Sequence, residues 1–101
     1  MMHSDLSAIK QGLSEAAAAY GALQTPFGLA LTRNGAGAFL RERFGNGGAP
    51  MLARLAMSPD AGPAFFKPTS TRTLYPVGDL IDWALHRFGE ARASHRSTEA
   101  K

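Results

Sequence analysis

The N-terminal quarter of the chain repeats apolar residues at three- and four-residue steps, which is the spacing of one face of a helix. This pattern predicts an amphipathic helix over residues 4–23, with Ser4 as its N-cap. Gly21 and the Thr25-Pro26 pair are predicted to end this helix, because proline cannot continue the helical hydrogen bonds. Residues 27–31 then alternate large apolar with small side chains, which predicts a short extended segment.

A second helical pattern begins after Thr32, a suitable N-cap, and continues to about Phe44. The glycine-rich run 45–48 breaks this pattern, and Pro50 is suited to the first turn of a third, short helix over residues 51–57. The sequence therefore predicts two helices joined by a turn in the middle of the chain.

Two short strands, residues 64–67 and 72–75, flank the turn-forming residues 68–71 and predict a β-hairpin. Helical spacing of apolar residues returns from Val77 to Phe88 and predicts a last helix. Most aromatic side chains fall on the inward faces of the predicted elements, so we expect them to pack in the core. These core aromatics are Phe39, Phe44, Tyr75, Trp83 and Phe88.

Composition narrows the classes of function. A chain of 101 residues without cysteine has no disulfide framework, no thiolate zinc site and no cysteine nucleophile. The three histidines lie far apart and lack the spacing of metal ligands, and no nucleophile, base and orienting group form a motif. We therefore expect no metal, no cofactor and no enzymatic activity.

Membrane contact is not expected either. No apolar run approaches the roughly 18 residues that span a bilayer, and the first residues lack the layout of a secretory signal. The sequence therefore predicts one domain with a cytoplasmic location.

Positive charge is concentrated in the middle of the chain. The formal net charge is +3, but residues 32–75 hold six arginine and lysine side chains against two acidic ones. Residues 1–31 hold one cation against two acids. Such a concentration is expected of a surface that meets a polyanion, and an ordinary solvated basic surface is the alternative.

Three short motifs accompany the predicted elements. They are Leu31-Thr32 with Ala36 and Leu40, residues 52–55 followed by residues 62–67, and Tyr75 followed by Asp79-Leu80 and Trp83. The spacing of the last motif, Tyr-x-x-x-Asp-Leu-x-x-Trp, is the most specific. The family that these motifs resemble typically has Glu and Ala at the positions of Gly35 and Gly37, so both glycines depart from the first motif.

With the order helix, glycine turn, short helix, basic hairpin and helix, these motifs resemble excisionases and related MerR-like winged helix-turn-helix proteins. Excisionases are the recombination directionality factors of phages and mobile elements. The resemblance implies a mainly α fold with a small β-hairpin, in which a winged helix-turn-helix follows an extra N-terminal helix. It divides the chain into an N-terminal amphipathic helix (1–26), a winged helix-turn-helix domain (27–92) and a flexible C-terminal tail (93–101).

By this resemblance the protein binds double-stranded DNA near a mobile-element attachment site, bends it and directs an integrase toward excision. Copies would associate with one another on the DNA, and the protein would lie on the nucleoid. A transcriptional regulator with the same contacts is one alternative, and a winged-helix module that binds protein, such as a phage inhibitor or antitoxin, is another. The N-terminal helix either contacts a second copy or integrase, or completes the core.

The short third helix fits the major groove, and Arg54 is its one side chain able to make a bidentate contact with guanine. A phosphate contact or a surface salt bridge is the alternative for Arg54. The hairpin tip carries cations and hydroxyls suited to the minor groove or to phosphates, and an ordinary solvated turn is its alternative. The arginines of the second helix are expected either to position phosphates or to form a solvated face. The candidate DNA-binding residues are Arg33, Arg41, Arg43, Asn46, Arg54, Ser58, Lys67, Thr69, Ser70, Thr71 and Arg72.

Overall fold

Four helices and a four-stranded antiparallel sheet are formed by residues 2–58 and 61–89, which are the residues that the computed structural model describes. The helices are α1 (Met2–Ala17), α2 (Arg33–Phe44), α3 (Ala49–Leu55) and α4 (Val77–Ala84). The strands are β1 (Leu23–Thr25), β2 (Gly28–Thr32), β3 (Phe66–Thr69) and β4 (Arg72–Pro76). The tail predicted over residues 93–101 lies outside the described residues.

The N-terminal helix ends earlier than the sequence predicts. α1 begins at Met2, so Ser4 lies within the helix and is not its N-cap. A single 3-10 turn over Ala18–Tyr20 follows, and Gly21 then adopts the left-handed conformation, with φ of 82°, that ends a helix. Leu23, which was predicted to close the helix, belongs to β1 because its backbone pairs with β2.

α1 divides into two halves with different surroundings. Ala17 is fully buried, and Leu13 and Ala16 pack against the core. Leu6 and Ile9, nearer the N-terminus, remain 45% and 50% exposed. The C-terminal half of α1 therefore completes the core, whereas the N-terminal half presents apolar side chains to solvent.

α2 begins and ends where the sequence predicts. The Oγ1 of Thr32 accepts a hydrogen bond from the backbone N–H of Gly35 at 3.1 Å, as an N-cap does. Gly45 closes the helix in the left-handed conformation, with φ of 75°.

The two glycines within α2 have a packing cause. A Cβ atom on Gly35 would lie 2.5 Å from the carbonyl oxygen of Tyr20, and one on Gly37 would lie 2.6 Å from the carbonyl carbon of Gly48. Glycine at these positions lets α2 lie directly against two other stretches of backbone. The two glycines that depart from the first motif are therefore explained by the close backbone contacts that they permit.

α3 is a seven-residue helix that starts two residues before the predicted position. Gly48, with φ of 125°, precedes it, and Pro50 lies in its first turn as the sequence predicts. Leu52 is 1% exposed and anchors α3 in the core beside α2. The helix ends at Leu55, two residues before the predicted end.

The sheet is larger than the small hairpin that the sequence predicts. Its strand order is β1-β2-β4-β3, so β2 joins an N-terminal hairpin to the predicted one. Leu31 of β2 lies opposite Tyr75 of β4, and both side chains are buried. The extended segment over residues 27–31 is confirmed, and its pairing with β4 makes the chain an α+β fold. The predicted domain boundary at residue 26 falls in the turn between β1 and β2.

β3 and β4 form the predicted hairpin, but β3 begins two residues later than the sequence predicts. Thr69 pairs with Arg72 across a two-residue turn. A register shift between Phe66 and Thr69 indicates a β-bulge. Pro68 lies within this bulged stretch of the edge strand, where a missing N–H is tolerated.

The core lies between the helices and one face of the sheet, and α4 closes it. Phe39, Phe44 and Tyr75 are buried as predicted, whereas Trp83 and Phe88 are half-buried at the rim of the core. After α4 the chain continues as a π-helical turn over Leu85–Gly89. Among the residues described, no helix combines the length and apolar character needed to cross a membrane.

Candidate nucleic-acid interface

Two arginines from distant parts of the sequence line one surface cleft. Arg33 is the first residue of α2, and Arg72 is the first residue of β4 after the hairpin turn. The cleft between them has a volume of about 280 Å³. Its lining residues are Thr32, Arg33, Asn34, Thr71, Arg72 and Thr73. None of these six side chains is acidic, so the cleft combines positive charge with hydroxyl and amide groups.

The guanidinium of Arg33 is held by a tyrosine of the core. Its Nε donates a hydrogen bond to the hydroxyl of Tyr75 at 3.1 Å. Tyr75 is 1% exposed, so its ring is fixed by the core. The bond uses Nε alone, and the two terminal NH2 groups of Arg33 remain donors for a ligand in the cleft.

The start of α2 adds to the positive potential of the cleft. A helix N-terminus carries a partial positive charge from its aligned peptide dipoles and its unpaired N–H groups. Thr32 and Asn34, at this end of α2, line the cleft together with Arg33. The arrangement suits an oxyanion such as a DNA phosphate, because two arginines and a helix N-terminus lie beside the same cleft.

The hairpin tip is solvent-exposed. Lys67 and Arg72 both lie on the exposed surface, and so do the three hydroxyl residues between them. The hydroxyls of Thr69 and Thr71 lie 3.4 Å apart. The fold thus presents the predicted wing residues to solvent, and Thr71 and Arg72 in addition enter the cleft with Arg33.

α3 presents one face to the core and one to solvent. Arg54, in the last turn, is exposed on the side opposite the buried Leu52. Asn46, in the glycine loop before the helix, and Ser58, after it, are exposed as well. The helix therefore has the exposed arginine that base reading requires, flanked by two polar side chains.

Arg41 and Arg43 are separated from the cleft. They occupy the last turn of α2, about 12 to 15 Å along the helix from Arg33 at the usual rise per residue. The guanidinium of Arg41 lies over the loop before α3, since a Cβ atom on Gly48 would lie 2.7 Å from its Nη2. Arg41 therefore lies beside the start of α3, whereas Arg43, two positions later, lies on another side of α2, and neither lines the Arg33–Arg72 cleft.

Arg43 also neighbours a hydrogen-bonded pair that joins α2 to the end of the N-terminal helical segment. The hydroxyl of Tyr20 donates to Oε1 of Glu42. This hydrogen bond, with partial desolvation and the charge of Glu42, raises the pKa of Tyr20 above its usual value, and Arg43 opposes the rise. The pair partly offsets the positive charge at this end of α2.

Four residues in or beside the cleft were not identified as candidates from the sequence. Thr32, Asn34 and Thr73 line it, although Thr32 was predicted only as a helix cap. Tyr75 orients Arg33, although Tyr75 was predicted only to pack in the core. Asn34 follows Arg33 directly and was detectable from its place in the first turn of a predicted helix. The role of Tyr75 was not detectable, because its partner lies 42 residues earlier in the chain.

Comparison of the chain with models of known protein families, with curated proteins and with solved structures finds no match.

Proposed function

We propose that this protein binds double-stranded DNA, with α3 and the β3–β4 hairpin as its two contact elements. The observation that carries this proposal is the cleft that Arg33 and Arg72 both line and that no acidic residue lines. A phosphate between these side chains would receive charge-assisted hydrogen bonds from both. The order α2, glycine turn, α3 and hairpin further supports a winged helix-turn-helix, in which a short helix enters the major groove.

Within this proposal the contacts have separate tasks. Arg54, on the exposed face of α3, reads a base edge. Arg33 and Arg72 position the duplex through its phosphates, and the hairpin tip follows the adjacent groove or backbone. Arg41 and Asn46 contribute phosphate contacts at the start of α3, and Arg43, beside the Tyr20–Glu42 pair, stays outside the proposed contacts. No enzymatic step is part of the proposal.

The biological role that we propose is that of an excisionase. Binding near a mobile-element attachment site would bend the DNA, at a cost of about 1 to 6 kcal/mol that several protein contacts can offset. An integrase would then be directed toward excision. Transcriptional regulation uses the same contacts, and an excision reaction with purified integrase distinguishes the two roles, since only an excisionase changes the yield of excised product.

A protein-binding module is the second candidate, because one exposed groove is largely apolar. Phe27 and Phe65, 69% and 37% exposed, line a groove of about 360 Å³ together with Phe66 and Pro76. Exposed aromatic side chains of this kind are common where proteins meet. The groove lies apart from the Arg33–Arg72 cleft, with which it shares no lining residue.

Salt-dependent binding to duplex DNA tests the proposed function. Fluorescence anisotropy with a labelled duplex of about 20 base pairs is measured between about 50 and 200 mM salt. We expect Arg33→Ala and Arg72→Ala each to reduce the slope of log K against log salt by about one. Lys10→Ala is the matched control, since Lys10 pairs with Asp82 at 3.1 Å on another surface. Absence of binding at the lowest salt would refute the proposal and favour the protein-binding module.

A further inference from the structure

The turn that follows α3 carries an exposed apolar side chain three residues after Arg54. Met57 is 83% exposed, more than any other large apolar side chain in the described part of the chain. Its backbone N–H donates to the carbonyl oxygen of Arg54 at 3.2 Å. One further turn of backbone therefore connects Met57, beyond the end of α3, to Arg54 within the helix. Met57 is therefore held in position by backbone bonds while its side chain lies in solvent.

Helical spacing places Met57 and Arg54 side by side. Residues three apart on a helix are neighbours, with Cβ atoms about 5 to 6 Å apart. The buried Leu52 marks the opposite face of α3, and the N–H of Ser58 donates to Leu55 at 3.0 Å to continue the turn. The end of α3 and the turn after it thus offer to a groove a cation with an exposed, flexible apolar side chain one turn away.

These two chemistries match two adjacent features of the major groove. Guanine presents O6 and N7 to an arginine, and thymine presents its C5-methyl group to an apolar side chain. We propose that Met57 determines specificity by contacting the methyl group of a thymine near the guanine that Arg54 reads. The inference rests on the proposed DNA-binding function and assigns to it a preferred substrate, a duplex with thymine and guanine in neighbouring positions.

The test removes the methyl group from the DNA. Binding sites are first selected from a random duplex library by the wild-type protein. Each thymine of the selected site is then replaced in turn by uracil, which pairs identically but lacks the C5-methyl group. We expect one replacement near the preferred guanine to weaken wild-type binding about fourfold, the effect of one buried methyl-sized group.

Three variants complete the test. Met57→Ala should bind thymine and uracil duplexes equally, and Met57→Leu should retain the preference because leucine is also apolar. Ile9→Ala, which removes an exposed apolar side chain from α1, should leave the preference unchanged. Equal binding of thymine and uracil duplexes by the wild-type protein, or a preference that survives in Met57→Ala, overturns the inference while DNA binding stands. Absence of any duplex binding overturns the proposed function and this inference with it.

Discussion

The hydroxyl of Tyr75 accepts a hydrogen bond from Nε of Arg33 at 3.1 Å, which joins the first residue of α2 to the strand that leads from the hairpin turn. Tyr75 is buried and Arg33 lines the cleft. The core therefore fixes the orientation of the Arg33 side chain. The same hydrogen bond connects α2 to β4, the second strand of the hairpin.

Tyr75→Phe removes this attachment with little change in packing. We expect the free energy of unfolding to fall by about 1 kcal/mol, the usual contribution of one hydrogen bond. Duplex affinity should fall as well, because Arg33 is no longer oriented toward the cleft. Urea denaturation and anisotropy measure the two effects. Tyr20→Phe is the control for affinity, since its hydroxyl bonds Glu42 outside the cleft, and an equal loss of affinity in both variants would contradict the role of Tyr75.

Gly37→Ala tests the close approach of α2 to the loop before α3. Alanine favours a helix over glycine, but the added Cβ would lie 2.6 Å from the carbonyl carbon of Gly48. We expect a net loss of about 1 to 3 kcal/mol in the free energy of unfolding, as is typical of overpacking. Gly12→Ala is the control, because a Cβ there meets no atom within 4 Å, and it should gain about 0.5 to 1 kcal/mol. A stabilising Gly37→Ala would contradict this packing.

Trp83 anchors α4 to the segment before β3. Its Nε1 donates to the carbonyl oxygen of Ala61 at 3.2 Å, and its ring contacts Phe88 edge-on at 5.4 Å between centroids. Trp83→Phe should lose about 1 kcal/mol with the hydrogen bond. Trp83→Ala should approach the lower end of the roughly 3 to 5 kcal/mol seen for buried aromatics, because Trp83 is only half-buried. Far-UV circular dichroism during denaturation measures both, and equal losses in the two variants would exclude a packing role for the ring.

Because of Tyr20, we expect the free energy of unfolding to depend on pH in the alkaline range. Its hydrogen bond to Glu42 raises its pKa in the folded protein above the usual 10.0, so the unfolded chain releases this proton first. The folded protein then binds more protons than the unfolded chain, and the free energy of unfolding falls as pH rises from the unfolded pKa to the raised folded one. The difference in stability between wild type and Tyr20→Phe should be constant at neutral pH and shrink in this alkaline range. A difference that grows there would contradict the hydrogen bond.

Local patterns were sufficient to predict α2, because its signals lie within the helix and at its ends. Thr32 caps it and Gly45 ends it, as the sequence predicts. The same reasoning found Pro50 in the first turn of α3 and the alternation of residues 27–31. What these patterns could not show was the partner of β2, since Leu31 pairs with Tyr75 far along the chain.

The cleft illustrates the same limit for the candidate site. Arg33 and Arg72 were both identified as candidates from charge and position. Their convergence depends on the pairing of Thr32 with Leu74, which no short-range pattern encodes. The departure of Gly37 from the first motif likewise had no explanation in the sequence, because the backbone that requires a glycine lies at Gly48 in the next loop.

The bulge and Pro68 at the outer edge of β3 have a consequence for the behaviour of the protein at high concentration. An open strand edge can recruit the strands of other molecules and lead to aggregates. Here one edge strand, β3, is distorted by a bulge and contains Pro68, and the other edge strand, β1, has only three residues before Pro26. Both edge strands are thus poor templates for pairing with another molecule. Copies of the protein would therefore be able to bind side by side on one partner without aggregating through their sheets.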